Sequence, residues 1–424
     1  MIRFLIKGLL RDRHRSFFPI LVVTAGVMLT VFFHCWLSGI FGDIVDINAR
    51  FTTGHVKVTT RAFAAEADQM PNDLALTGAD SLMRGLRREF PDMDWVCRIR
   101  FAGLLDVPDA KGETRAQGPA VGIGIDLLSG DGSEIRRMNV EGAVVRGRLP
   151  RRPGEILVGE GLASRLGLAP GDAVTLLGST MNGEMAMQNF SVAGTLRFGV
   201  EAMDRGAMIG DLADIRRALD MEDAAGEILG YFKDGRYDNA RAESAAGRFN
   251  TLRSDPRDDF APVMTGLGQQ NSLEEMLDYA SSVSAMLVSV FVFAMSIVLW
   301  NAGLIGGLRR YGEIGVRLAM GEDKGHVYRS MVAESVCIGL AGSVLGTAAG
   351  LGIGYFLQAN GMDAGGMMKN ASMMMPMEFR ARVAPQDYVL GFIPGLFSTV
   401  LGASLAGAGI YRRKTSQLFK ELEA

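Results

Sequence analysis

The stretch SSVSAMLVSVFVFAMSIVLWNAGLIGGLRRYGEIGVRLAMGEDKGHVYRSMVAESVCIGLAGSVLGTAAGLGI, from Ser281 to Ile353, decides how the chain is read. Val283 to Leu308 carries no charged residue, and neither does Ser335 to Phe356. Each exceeds the roughly 20 residues that an α-helix needs to cross about 30 Å of hydrocarbon, so both read as membrane spans. Between them Arg309, Arg310, Arg317, Lys324 and Arg329 lie close to the two apolar ends. Short loops rich in Lys and Arg stay in the cytoplasm, so this hairpin points inward.

Two more spans follow on either side. Phe17 to Ile40 is an uncharged apolar run behind a basic amphipathic strip, Met1 to Arg15, suited to an anionic membrane surface. The run is longer than the roughly 7–15 residues of a signal-peptide core and has no small-x-small cleavage site, so it reads as an uncleaved first span with its N-terminal side inside. Tyr388 to Tyr411 is the fourth span, held inside at its end by Arg412, Arg413 and Lys414. Asp43 to Met276 contains nothing long and apolar enough to span, and it is large enough to build a core of its own.

The expected layout is therefore a cytoplasmic amphipathic segment 1–16, a first span 17–41, an extracytoplasmic domain 42–276, a second span 277–308, a cytoplasmic loop 309–329, a third span 330–358, an outer Met-rich loop 359–387, a fourth span 388–411 and a cytoplasmic tail 412–424. The fold class is an α-helical membrane domain of four spans, arranged 1+3, with a large α+β domain inserted between the first and second. Composition agrees: 424 residues, 48% hydrophobic and 21% charged, are too polar for spans alone and too apolar for an ordinary soluble enzyme. The net charge of -3, with basic residues gathered beside apolar segments, argues topology rather than nucleic-acid binding.

Within the inserted domain, Gly54 to Thr60 alternates as a strand, Trp95 to Val107 has a β-rich composition, Ala120 to Leu127 reads as another strand, and Asp80 to Phe90 has helical spacing. Gly154 to Leu177 reads as strand, short helix closed by Gly167, a Pro170-Gly171-Asp172 turn, and strand. Phe190 to Arg197 and Arg205 to Ile209 add strands, and Leu212 to Leu219 a helix. A further helix is expected to begin near Ser272 and lead into the second span. Cys35 and Cys337 fall in spans, leaving Cys97 as the one thiol of 42–276, so no disulfide can form within that domain.

Catalytic patterns are missing from the sequence. There is no Gly-x-x-x-x-Gly-Lys-Ser/Thr string to wrap phosphates, and no Gly-x-Ser-x-Gly elbow. Leu128-Ser-Gly-Asp-Gly132 reads as a turn. His14, His34, His55 and His326 are too scattered for a local zinc site. The chain is expected to be no enzyme and to bind no cofactor itself.

Four features invite a functional reading. Gly342, Gly346, Gly350 and Gly354 stack on one face of the third span, where small residues admit a close helix neighbour, although glycine is also common in spans generally. Whether that neighbour belongs to this chain or to a second copy is open. Glu334, at the inner end of that span, is a costly carboxylate and so a coupling or structural candidate. Met362, Met367, Met368, Met373, Met374, Met375 and Met377 crowd the outer loop, and adaptable thioethers suit a lipid or lipid-bearing substrate, or a loop merely resting on lipid. Gly178 to Asn189, with Met181, Met185 and Met187, is a short outer segment. His34 is expected to be an interfacial polar residue.

Arg310-x-x-Glu313-Ile314-Gly315-x-Arg317-x-x-Met320-Gly321, followed by Glu334-Ser335 and the glycine series, resembles the FtsX-like permease domain of ABC transporters. The inserted domain, with Gly154-Glu155-Ile156 through Gly171-Asp172, resembles the extracytoplasmic domain of the macrolide-exporter and lipoprotein-releasing permeases of that family, and the similarity extends over nearly the whole chain. The resemblance implies a dimer working with two ATP-binding subunits that carry the ATP and Mg, in a bacterial inner membrane. It implies that a short helix in the inner hairpin seats on the ATPase, with Arg310, Glu313, Ile314, Gly315, Arg317, Met320 and Gly321 forming or bordering the coupling element. It also implies mechanotransmission, in which ATP-driven closure moves the outer domains. Three uses follow: release of lipoproteins or lipid-linked cargo, efflux of peptides or antibiotics with a periplasmic adaptor, or regulation of a cell-wall hydrolase. In the lipoprotein-releasing permeases a loop placed like Gly178 to Asn189 recruits a soluble carrier; here it is short and has no internal proline.

Overall fold

In a computed structural model of the protein, residues 13–129, 131–270, 273–308, 311–363, 374 and 378–412 are described. Two units emerge, one from Met1–Asp43, Tyr279–Asp363 and Glu378–Ala424, the other from Ile44–Asp278 and Ala364–Met377. The first long helix, α1, runs Arg13–Asn48, past the expected end of the apolar run, because nothing between 42 and 48 breaks a helix. It widens into a π turn over Ala49–Thr53 and stops at Gly54, whose φ of 64° favours glycine.

In the second unit ten strands form one sheet: β1 (Val56–Thr60), β2 (Met93–Pro108), β3 (Thr114–Ile125), β4 (Val144–Gly147), β5 (Glu155–Gly159), β6 (Ala173–Ser179), β7 (Met185–Leu196), β8 (Ala207–Asp211), β9 (Glu227–Phe232) and β10 (Pro262–Gly266). The order is β10-β1-β9-β2-β3-β8-β5-β7-β4, with β6 bridging β2 and β7. That bridge closes a ring, β2-β3-β8-β5-β7-β6 and back to β2, in which β3·β8 and β5·β7 are parallel. Closure removes exposed strand edges.

One core gathers Phe101, Leu105, Ile156, Val158, Leu176 and Phe190 from the ring with Leu162 of helix α3 (Glu160–Leu166) and Ile215 of helix α4 (Leu212–Ala218). A second packs Val56, Val58, Trp95 and Ile228 against helix α2 (Ala79–Glu89) and helix α5 (Asn239–Arg253). Alternation at period two on β2 puts Trp95, Cys97, Ile99 and Phe101 inside, as its spacing requires. The α+β reading of this region holds, and the strand–helix–turn–strand run from Gly154 forms with Gly167 as the left-handed cap. Helix α5 and strands β9 and β10 were not anticipated. The buried face of α5 is Ala242, Ala245, Ala246 and Phe249, too small to give an apolar period.

This unit also buries charge. Arg98, 1% exposed, donates to Glu134 at 2.6 Å, to the carbonyl oxygens of Arg50 and Phe51 at 2.8 and 3.1 Å, and to the Tyr231 hydroxyl at 3.1 Å. The Arg98 guanidinium and Arg137 hold the Glu134 carboxyl below the usual range against a burial penalty that pushes it up. His55 accepts from the Phe232 N–H through Nδ1 at 3.0 Å, and burial drives its pKa down to about 4.

The first unit contains the helices long and apolar enough to cross a membrane: Phe17–Thr53, Ser282–Asn301, Lys324–Asn360 and Asp387–Ala408, of which the first extends past Asp43. The second of these lies in helix α6 (Leu273–Leu308); a short helix α7 (Tyr311–Ala319) and the long α8 (Lys324–Asn360) follow. The fourth is not one regular helix. A turn at Asp387–Leu390 passes through a π turn, Ile393–Phe397, into helix α9 (Ser398–Arg412), because Pro394 lacks an N–H and Gly391 and Gly395 supply no side chain.

Candidate functional site

The hairpin between α7 and α8 is built by a turn that fastens itself. After α7, Gly321 takes φ 95° and the chain reverses, and Asp323 caps α8 by accepting from the Gly325 N–H at 2.8 Å. Arg317 reaches across the turn and grips Glu322 with both arms, Nε to Oε2 at 2.6 Å and Nη2 to Oε1 at 2.7 Å. The hydrogen bonds from Arg317 hold the Glu322 carboxyl below the usual range, and His326 lies 3.6 Å from it. Gly315 is buried, whereas Val316 and Met320, four apart, are 45% and 76% exposed. Arg317 therefore shapes the hairpin, and the apolar pair beside it faces outward. Glu313 and Ile314 lie within α7, their side chains outside the described residues, as is Arg310 altogether.

The glycine column of α8 meets its neighbour inside this chain. A Cβ added at Gly342 would sit 2.6 Å from Val23 Cβ, at Gly346 2.6 Å from the Thr24 carbonyl oxygen, at Gly350 2.9 Å from Val31 Cβ and at Gly354 3.3 Å from Cys35 Sγ. Both series rise together by four, so α1 and α8 run parallel with their backbones almost touching. The fourth-span helix packs on the same seam in the opposite direction. Gly339 faces Leu396, and a Cβ at Gly391 would meet Val27 at 2.5 Å and the Thr347 hydroxyl at 2.8 Å. Val23, Val27, Val31 and Gly391 were not singled out by sequence, although the matching four-residue spacing in α1 was there to be seen.

Glu334 is half-buried on α8 and is engaged with a neighbour. Met374 corrects the outer-loop reading: it is 2% exposed, donates its N–H to the Arg197 carbonyl at 2.9 Å, and packs into a core with Phe51, Ile125, Leu196 and Phe198. Its side chain is packed in protein. Met367, Met368, Met373 and Met375 lie outside the described residues. The segment 178–189 is a tight β-hairpin end, with the Thr180 N–H on the Glu184 carbonyl at 2.8 Å; Met181 packs on the core while Met185 and Met187 are exposed.

Residues 285–415, holding α7, α8, the glycine seam and α9, match the family model for the FtsX-like permease C-terminal domain. This C-terminal part of the chain is similar to that family. A macrolide export ATP-binding/permease protein, MacB, of Acinetobacter baylyi is 28% identical over 126 residues, covering 29% of this chain and 18% of the relative. The chain thus spans less than a fifth of the curated relative it matches. The periplasmic region of MacB from Actinobacillus actinomycetemcomitans aligns with 55% of this chain and 96% of its own length, at 12% identity and a TM-score of 0.35.

Proposed function

We propose that this FtsX-like chain is the membrane subunit of an ABC transporter in a bacterial inner membrane, working as a dimer with two copies of a separate ATPase that carries ATP and Mg. Its four spans follow the 1+3 order with the α+β domain outside. The parallel pairing of α1 with α8 supports this order, since both then start from the cytoplasmic side. The observation that carries the reading is the inner hairpin, a short helix fixed by the Arg317–Glu322 pair that presents Val316 and Met320 as a docking face. Closure of the ATPase would push this hairpin and be passed to the outer domain, releasing lipoproteins or other lipid-linked cargo from the outer leaflet. Similarity to a macrolide export protein favours a second use, efflux of a small amphiphile with a periplasmic adaptor.

Purification of the tagged chain from native membranes tests the first part. An ATPase is expected to co-purify, and Val316→Asp with Met320→Asp to lose it. Retention of the ATPase by that double variant, at unchanged activity, would refute the assignment. Mass spectrometry of the same eluate distinguishes acylated protein cargo from an adaptor and small amphiphile.

A further inference from the structure

By sequence alone Asp387 carries no motif and His34 is an ordinary interfacial residue. The structure brings them together inside the membrane unit. Asp387 is completely buried; its Oδ2 accepts from the Ala384 N–H at 2.6 Å and its Oδ1 lies 2.5 Å from His34 Nδ1. On the other side of the ring, His34 Nε2 lies 3.4 Å from Gln386 Nε2.

These contacts close a strap. Residues 380–386 run across α1 and α8 before the fourth span begins. The Arg382 N–H donates to the Cys35 carbonyl at 2.9 Å, and the Val383 N–H to Gln358 Oε1 at 3.1 Å. Gly39 lets the strap lie flat, since a Cβ there would stand 2.8 Å from Ala381 Cα. A carboxylate among spans is costly unless paired, and the pair it finds joins α1 to the fourth-span helix.

We infer that His34 and Asp387 form a proton-operated latch, in which protonation of His34 from the outer side tightens the strap over α1 and deprotonation loosens it. The His34 side chain is 14% exposed, whereas Asp387 is fully buried. With a neutral ring, Nδ1–H donates to the carboxylate and Nε2 accepts from the Gln386 amide. With a charged ring the same contact becomes a charge-assisted bond, roughly twice as strong, and Gln386 turns its amide over to present oxygen to the new N–H. Facing the pair are the Cys35 thiol on α1, Tyr355 on α8 with its hydroxyl 2.6 Å from that of Tyr388, and Tyr388 itself on the fourth-span helix. Asp43 of α1 lies further along, accepting from the Arg380 N–H, and the Arg382 guanidinium lies against Gly42. Of these side-chain types, imidazole is the one that ordinarily changes charge between pH 5 and 8.

The test is hydrogen exchange of the 380–390 backbone amides in the full chain in detergent, between pH 8 and pH 5.5, corrected for intrinsic exchange. No ATPase is present, so the outcome does not depend on the transporter assignment. Protection is expected to rise about fivefold on acidification, the difference between a neutral and a charge-assisted hydrogen bond. His34→Asn, which keeps a donor near the Nδ1 position but cannot titrate, should give an intermediate and pH-independent value, and Asp387→Asn a low and pH-independent one. Constant protection in the wild-type chain, or an unchanged pH response in His34→Asn, overturns the latch.

Discussion

The two units solve the problem of a stable interior by opposite means. In the membrane unit α8 is held to α1 by what is missing: glycines at 342, 346, 350 and 354 bring backbone against valine side chains, with no charge at the contact. In the outer unit β2 is held partly by what is added: Arg98, inaccessible to water, ties Glu134, Tyr231 and two carbonyls of the turn after α1 into one buried network. Lipid offers helices no hydrophobic incentive to associate, so close contact must do it. Water supplies that incentive to the outer domain, which can then accommodate a buried ion pair whose loss is expensive. One interior is therefore sensitive to added volume and the other to removed or neutralised charge.

That contrast can be broken at several points. Glu134→Ala should have the largest effect, about 3–5 kcal/mol off the stability of the outer domain, because Arg98 is left buried and unpaired. Chemical denaturation of the full chain followed by tryptophan fluorescence checks it, and a loss below about 1 kcal/mol would mean the pair is already hydrated.

Acid comes next. The folded pKa of His55 is depressed to about 4, against an ordinary value of about 6.5. The unfolded chain therefore takes up the proton first as pH falls. Stability contributed by the neutral ring is full above about pH 6.5 and is lost between there and about pH 4, by up to about 3 kcal/mol. The outer domain should accordingly lose stability across that window, and His55→Phe should flatten the response. An unchanged acid response in that variant would show that other groups carry it.

Gly346→Leu is the counterpart in the membrane unit. Overpacking commonly costs about 1–3 kcal/mol, and here the obstacle is the Thr24 carbonyl oxygen, which cannot rotate away. Thermal unfolding in detergent should drop, with the acid response of the outer domain preserved. Helix α6 provides the control: 11% of its Ser282–Asn301 window is buried, against 44% of the α8 window, and Phe293 is 68% exposed. Phe293→Ala should change monomer stability by less than about 0.5 kcal/mol.

Arg317→Ala is expected to cost little stability, under about 1 kcal/mol, because the pair is partly exposed to solvent. Its effect should appear instead as loss of ATPase co-purification, since the hairpin loses its fastening. Normal association would separate the shape of the turn from docking.

Much of this was readable before any coordinates. Uncharged runs marked the candidate spans, alternation marked β1, β-rich composition marked β2, and turn chemistry marked β5 and β6. Helix α5 escaped because alanine packs without leaving an apolar stripe. The glycine column was legible but its neighbour was not, since spacing describes one face and says nothing of what lies opposite. Met374 misled for a related reason: methionine suits lipid and protein cores equally, and composition cannot tell which a loop will meet.

Hydrophobic length and the placement of charge are properties of consecutive residues, and they established the candidate spans and the side on which the hairpin is expected, while short motifs such as Glu313-Ile314-Gly315 carried the family resemblance. Pairings between residues far apart in the chain, His34 with Asp387, Arg98 with Glu134 and Gly346 with Val27, depend on which surfaces meet when the chain closes. Only the tertiary structure decides those, because contact energy is set by distance in space, and many pairings share the same local pattern.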